Sequence, residues 1–243
     1  WLTARLTFTL NSSYLLFIGL AAELAWWVIS IAYLAYMIIK SGNYRNLVFL
    51  PLLSILSILD AINLFSAISG NVALASHLSY IAIFMITAVV TVLGGRVIPF
   101  FTSRALNLTP IKANTVIERL LIVMMLITII LFTASYWLNI TIPVSLFFVT
   151  TGFCQLARIY NWQTIKTLST PLLWSLHCAY LFMGLGYVAI GGSFIIDNLS
   201  FSSSLHLITL GTIGSMTLSM MSRVSLGHTA RTLQSNIWVN LSF

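Results

Sequence analysis

A chain of 243 residues with 59% hydrophobic and only 6% charged side chains cannot cover a water-facing surface, because a soluble globular domain carries roughly 25% charge. That excludes a soluble enzyme or binding module and leaves lipid as the outer solvent, where only helices and closed barrels satisfy their own backbone. The apolar runs are about 20 residues long without period-2 alternation, which selects helices over barrel strands.

In chain order the runs predict spans at about 14–37, 47–68, 76–97, 120–137, 143–160, 171–195 and 205–221, with the start of an eighth at 237. Each is near the length that a hydrocarbon core of about 30 Å requires. Pro171 suits the first turn of its helix, where a missing N–H is harmless. The expected fold is all-α: a polytopic transmembrane helix bundle of about seven spans plus the start of an eighth, one membrane domain over 1–243. The chain begins on Trp1 and ends inside an apolar segment at Phe243, so it reads as a piece of a longer protein and of a larger bundle. Residues 1–13 lack a basic stretch followed by a short apolar run and do not resemble a signal peptide. Cys154 and Cys178 fall inside spans and read as small buried hydrophobes.

The charges set the topology. Lys40 and Arg45 follow span one; Arg96, Arg104, Lys112 and Arg119 cluster between spans three and four; Arg158 and Lys166 lie between five and six; Arg223 and Arg231 follow span seven. Those ten of the eleven basic residues all fall between alternate spans, which puts those segments in the cytoplasm. Orientation and contact with anionic lipid account for the net charge of +7, so no nucleic-acid partner is inferred.

Polar groups inside spans come next. Glu23 lies in span one and Asp60 in span two, at similar expected depths; Ser57, Asp60 and Asn63 share a broad helical face. An acidic side chain at mid-membrane costs roughly 2.5–3.5 kcal/mol on insertion scales. A proton or water path and a buried, hydrogen-bonded carboxyl both fit.

Four histidines follow. His77 and His206 open spans three and seven at the outer surface, His177 lies about 9 Å inside the cytoplasmic end of span six, and His228 follows span seven. Imidazole ligates haem iron and copper, but an interfacial hydrogen-bonder is the commoner role, above all for His77. His177 and His206 differ in depth by about 15–20 Å and cannot share one haem iron. Span seven is rich in small residues, Gly211, Thr212, Gly214, Ser215, Thr217 and Ser219, which lets other backbones approach closely. Its Met216 and Met220 read as core filler before copper ligands.

Two segments stand out at the cytoplasmic face. In GGRVIPFFT at 94–102, Gly94 and Gly95 are expected to break the helix and bring backbone close to a partner. Arg96 beside them suits a carboxylate or phosphate. SRVSLGHTAR at 222–231 presents Arg223 and His228. A tight turn and a snorkelling arginine is the alternative.

Four stretches carry a family likeness: GGRVIPFFT at 94–102; RNLVFLPLL at 45–53 with Asp60 and Asn63 beyond; TLSTPLLWSLHCAY at 167–180; and HLITLGTIGSMTLSMMSRVSLGHTAR at 206–231. In these the chain resembles the NnrS family of bacterial membrane proteins, described as haem- and copper-containing and linked to nitric oxide stress. Family chains are longer, with about twelve spans, so helices of the same chain outside this sequence would complete the bundle. The resemblance implies an inner-membrane protein with haem and copper as cofactors and nitric oxide as a ligand. It raises His177, His206 and His228 as metal ligands, and Gly94, Gly95, Arg96 and Arg223 as cofactor-binding residues, the arginines toward haem propionates. The rival readings are a proton- or ion-coupled transporter using Glu23, Asp60 and Asn63, and a cofactor-free subunit of a respiratory complex.

Overall fold

The computed structural model describes residues 2–9 and 13–229. Among them the chain is helical, and six helices are long and apolar enough to cross a membrane. The chain divides into two compact units, 1–89 and 90–243, with the boundary inside one long helix.

The first unit opens with a short helix α1 (Leu2–Thr9) packed on α2 (Ser13–Ser41). A turn at Gly42, whose φ of +65° favours glycine, leads to α3 (Phe49–Ile68). A second turn at Gly70, φ +81°, leads to α4 (Val72–Ala105). Much of the apolar surface of α2 and α3 is exposed, including Phe17, Ile29, Ile58 and Phe65, as a lipid-facing helix requires.

The second unit begins in the later half of α4 and continues with α5 (Thr115–Ala134), α6 (Thr141–Tyr160) and α7 (Pro171–Ser193). Asn114 caps α5, its side-chain oxygen accepting from Val116 N at 3.0 Å and Ile117 N at 3.4 Å. Pro171 occupies the first turn of α7, as expected from its sequence position. The core sits on α7: Leu173, Leu176, Tyr180, Met183, Tyr187 and Ile190 are fully buried. Gly152 of α6 opposes Gly184 and Val188 of α7, and Gly191 opposes Ser145 and Val149. Ser145 Oγ donates to the Gly191 carbonyl at 2.7 Å. The small residues recur seven apart on both helices, the spacing that keeps one seam facing its partner.

Three expectations are corrected. The six long helices match the first six spans, but the seventh is not one regular helix. Residues 201–228 form α8 (Phe201–His206), a π-helical segment (Leu207–Gly214) and α9 (Ser215–His228) without a break. Here Gly186 of α7 faces Ile208, and Gly211 lies against Phe182 of α7. Such i→i+5 winding is rare and occurs mostly as short stretches inside α-helices. Second, α4 runs straight through Gly94 and Gly95, and through Pro99, to Ala105, so the glycines do not break it. At 34 residues α4 is about 51 Å long, longer than a bilayer core, and it carries Arg96 and Arg104 on helix and not loop. Third, Arg158 lies in α6 and is buried. Cys154 and Cys178 are free thiols and half-buried. The expected eighth span and Arg231 lie outside the described residues.

Arg45, Lys112 and Lys166 follow or lie in the connections after the first, third and fifth long helices in chain order. Reporter fusions after these three residues should all read cytoplasmic; a periplasmic signal at any two would invert the topology.

Candidate functional site

In the first unit the intramembrane polar residues join neighbouring helices. Trp27 Nε1–H of α2 donates to Asp60 Oδ2 of α3 at 3.0 Å. Asn63 Nδ2 donates to the Ala75 carbonyl and to Ser79 Oγ of α4, both at 2.7 Å. Glu23, buried, sits one turn before Trp27 on α2, and His77 is half-buried on α4. The face through Asp60 and Asn63 thus reaches α2 on one side and α4 on the other. Interhelical hydrogen bonds in membranes average about 0.6 kcal/mol, with a maximum near 1.7. Asp60→Leu should therefore lose about that much stability, whereas Asp60→Asn keeps an acceptor for Trp27 and should unfold like the parent. If Asp60→Asn folds normally yet abolishes activity, the carboxyl itself does chemistry and the structural role fails.

The densest polar cluster is in the second unit, around Arg158. Its side chain is 5% exposed. Nε and Nη2 donate to the two oxygens of Glu118 on α5, and Nη1 donates to the Thr91 carbonyl of α4 and to the Tyr180 hydroxyl of α7, both at 2.7 Å. Tyr180 donates to Gln155 Oε1; Gln155 Nε2 donates to Thr91 Oγ1 at 2.9 Å; Thr91 Oγ1 points its proton at Met183 Sδ, 3.8 Å away. Trp162 lies under the guanidinium at 5.6 Å and against Tyr180 at 4.7 Å.

This cluster gives Gly94 and Gly95 their reason. A Cβ at Gly95 would collide with the Arg158 guanidinium, and one at Gly94 would meet the Tyr180 ring at 3.0 Å. The close approach expected of this pair is made by the protein's own side chains. Arg96 projects from α4 with an exposed side chain. Arg158 and Glu118 were missed as site residues because a lone arginine near a span end reads as a topological charge. The available signal was Glu118, one of four acidic residues in the chain, set among basic neighbours.

His177 is 1% exposed and holds three segments together. Its Nε2 is 2.9 Å from Thr102 Oγ1 of α4 and its Nδ1 is 2.9 Å from Thr164 Oγ1, in the turn before α7. Thr102 also donates to the Ile98 carbonyl at 2.8 Å. That network assigns the proton to Nε2, leaving Nδ1 to accept from Thr164. Neither nitrogen faces an open position for a metal. His206 and His228 are exposed and stand 22 residues apart on one helical stretch, roughly 30 Å, too far to share an ion. Among the described residues no three His, Cys, Asp or Glu side chains are close enough to hold a metal. These residues do not form a haem or copper centre by themselves.

α4, α7 and α9 do meet at the basic end of the unit. Thr102 reaches His177, and the Arg223 guanidinium of α9 lies 4.2 Å from the Phe101 ring centroid. No curated protein and no solved structure matches this chain. A family model described as NnrS protein matches residues 1–243, a span that includes the GGRVIPFFT and SRVSLGHT runs, and the chain belongs to the NnrS family.

Proposed function

We propose that this multi-pass membrane protein acts in the nitric oxide stress response at the bacterial inner membrane, as part of a haem- and copper-containing assembly that binds nitric oxide. The whole-chain family match carries this reading. His177 serves it as a structural crosslink, because both ring nitrogens have hydroxyl partners. His206 and His228, being exposed, are able to offer a nitrogen to a metal whose other ligands come from outside the described residues. Since the described residues do not complete a centre, no reaction step through haem or copper is derived. What they supply is a rigid frame, with the Arg158 cluster fixing α4, α5, α6 and α7 relative to one another.

The test is the visible spectrum of the purified full-length protein, with and without nitric oxide, alongside iron and copper analysis. A Soret band that shifts on adding nitric oxide is expected. His177→Asn should keep the metal content, and His206→Ala or His228→Ala should lower it. A colourless, metal-free protein removes the proposal.

A further inference from the structure

Arg223 is a buried cation whose Nη1 has no acceptor among the described residues. Its side chain is 5% exposed, and its Nη1 is buried without a partner. One face of the guanidinium is covered by Phe101 at 4.2 Å, so its remaining bonds must be made in the plane of the group. A snorkelling arginine would place its head in water; this one does not.

The surroundings share that deficiency. Ser219, one turn earlier on α9, is fully buried, and its Oγ has no partner. Ser175 Oγ, on the facing helix α7, is likewise buried and unpartnered. The antiparallel contacts of Gly186 with Ile208 and of Gly211 with Phe182, followed down the helices, bring Ser175 to roughly the level of Ser219. Helical side chains lean toward the N-terminus and cover the preceding turn, so the Arg223 side chain lies over the turn of α9 that bears Ser219.

We propose that Arg223, with Ser219, binds the phosphate of an anionic lipid headgroup. Arg223 stands two residues beyond the apolar run at 205–221, at headgroup depth on the basic face, where the abundant oxyanion is lipid phosphate. Guanidinium edges and hydroxyls are the donors such an oxyanion needs. The site goes beyond the nitric oxide reading and needs neither metal nor haem.

The experiment titrates the full-length protein in detergent with dioctanoyl-phosphatidylglycerol, dioctanoyl-phosphatidylcholine, inorganic phosphate and haemin. Binding is read by the shift in unfolding temperature and by native mass spectrometry. Phosphatidylglycerol should bind the parent, and Arg223→Gln should weaken it at least tenfold, with Arg223→Lys in between. Ser219→Ala removes one of the unpartnered hydroxyls and should keep the unfolding temperature without lipid but weaken phosphatidylglycerol severalfold, which keeps the test valid if Arg223→Gln folds poorly. Equal binding of phosphatidylcholine, or undiminished binding of phosphatidylglycerol by both Arg223→Gln and Ser219→Ala, overturns the proposal. Binding of inorganic phosphate alone, or of haemin in an Arg223-dependent way without phosphatidylglycerol, overturns the lipid source. Failure here leaves the spectrum with nitric oxide unaffected, so the two readings fall separately.

Discussion

Arg158→Leu is expected to destabilise the protein by about 3–5 kcal/mol, the range for removing one partner of a buried ion pair. The guanidinium is 5% exposed and meets groups from three other helices: Glu118 of α5, the Thr91 carbonyl of α4 and Tyr180 of α7. Leucine leaves the Glu118 carboxylate without its cation and the Thr91 carbonyl without this donor, and it vacates the space over Gly95. Glu118 is less enclosed, at 25% side-chain exposure, so Glu118→Gln should lose less than Arg158→Leu. The double variant Arg158→Met with Glu118→Gln should lose less than the sum of its single changes, since the stranded charge is gone. Equilibrium unfolding in detergent measures all of these. A loss under about 1 kcal/mol for Arg158→Leu would place the pair with ordinary surface ion pairs, whose worth lies in that range.

The six long spans were legible because hydropathy over about 20 residues is a local quantity. The same locality explains the misreadings. Gly94 and Gly95 look like a helix break when only their neighbours are considered, yet their reason lies in Arg158 and Tyr180, more than 60 residues onward. Arg158 reads as a topological charge in sequence because its ion pair joins positions 40 residues apart. The small residues of the seventh span promised close approach, which Gly211 and Phe182 bear out, but nothing in their spacing distinguishes π from α winding. His177 was legible as an unusual residue but not as a crosslink, because Thr102 and Thr164 are unremarkable in sequence. The motif-rich face seen in the sequence does bring α4, α7 and α9 together through Thr102, His177, Phe101 and Arg223.

Gly152→Ala should destabilise the second unit by about 1–3 kcal/mol, the usual loss for overfilling a packed interior, and Gly152→Leu by more. The reason is what the new atom would touch. A Cβ at 152 would lie 2.7 Å from the Gly184 carbonyl oxygen and 2.8 Å from Val188 N, both backbone atoms of α7, and 2.6 Å from Val188 Cγ2. A side chain could rotate away; a helix backbone moves only as a body, so α6 and α7 must separate. Separation would stretch the bond from Ser145 to the Gly191 carbonyl, one seam repeat further along. It would also draw Gln155 and Arg158 on α6 away from Tyr180 on α7. The loss should therefore appear both as a lower unfolding midpoint and as faster hydrogen exchange at Arg158 and Tyr180. Gly227→Ala is the control, since its Cβ meets nothing within 4 Å and alanine favours an exposed helix by up to about 1 kcal/mol. If Gly152→Ala unfolds like the parent, the distance between the helices is set by Val149, Leu156 and Val188, and the glycine seam is not what holds α6 to α7.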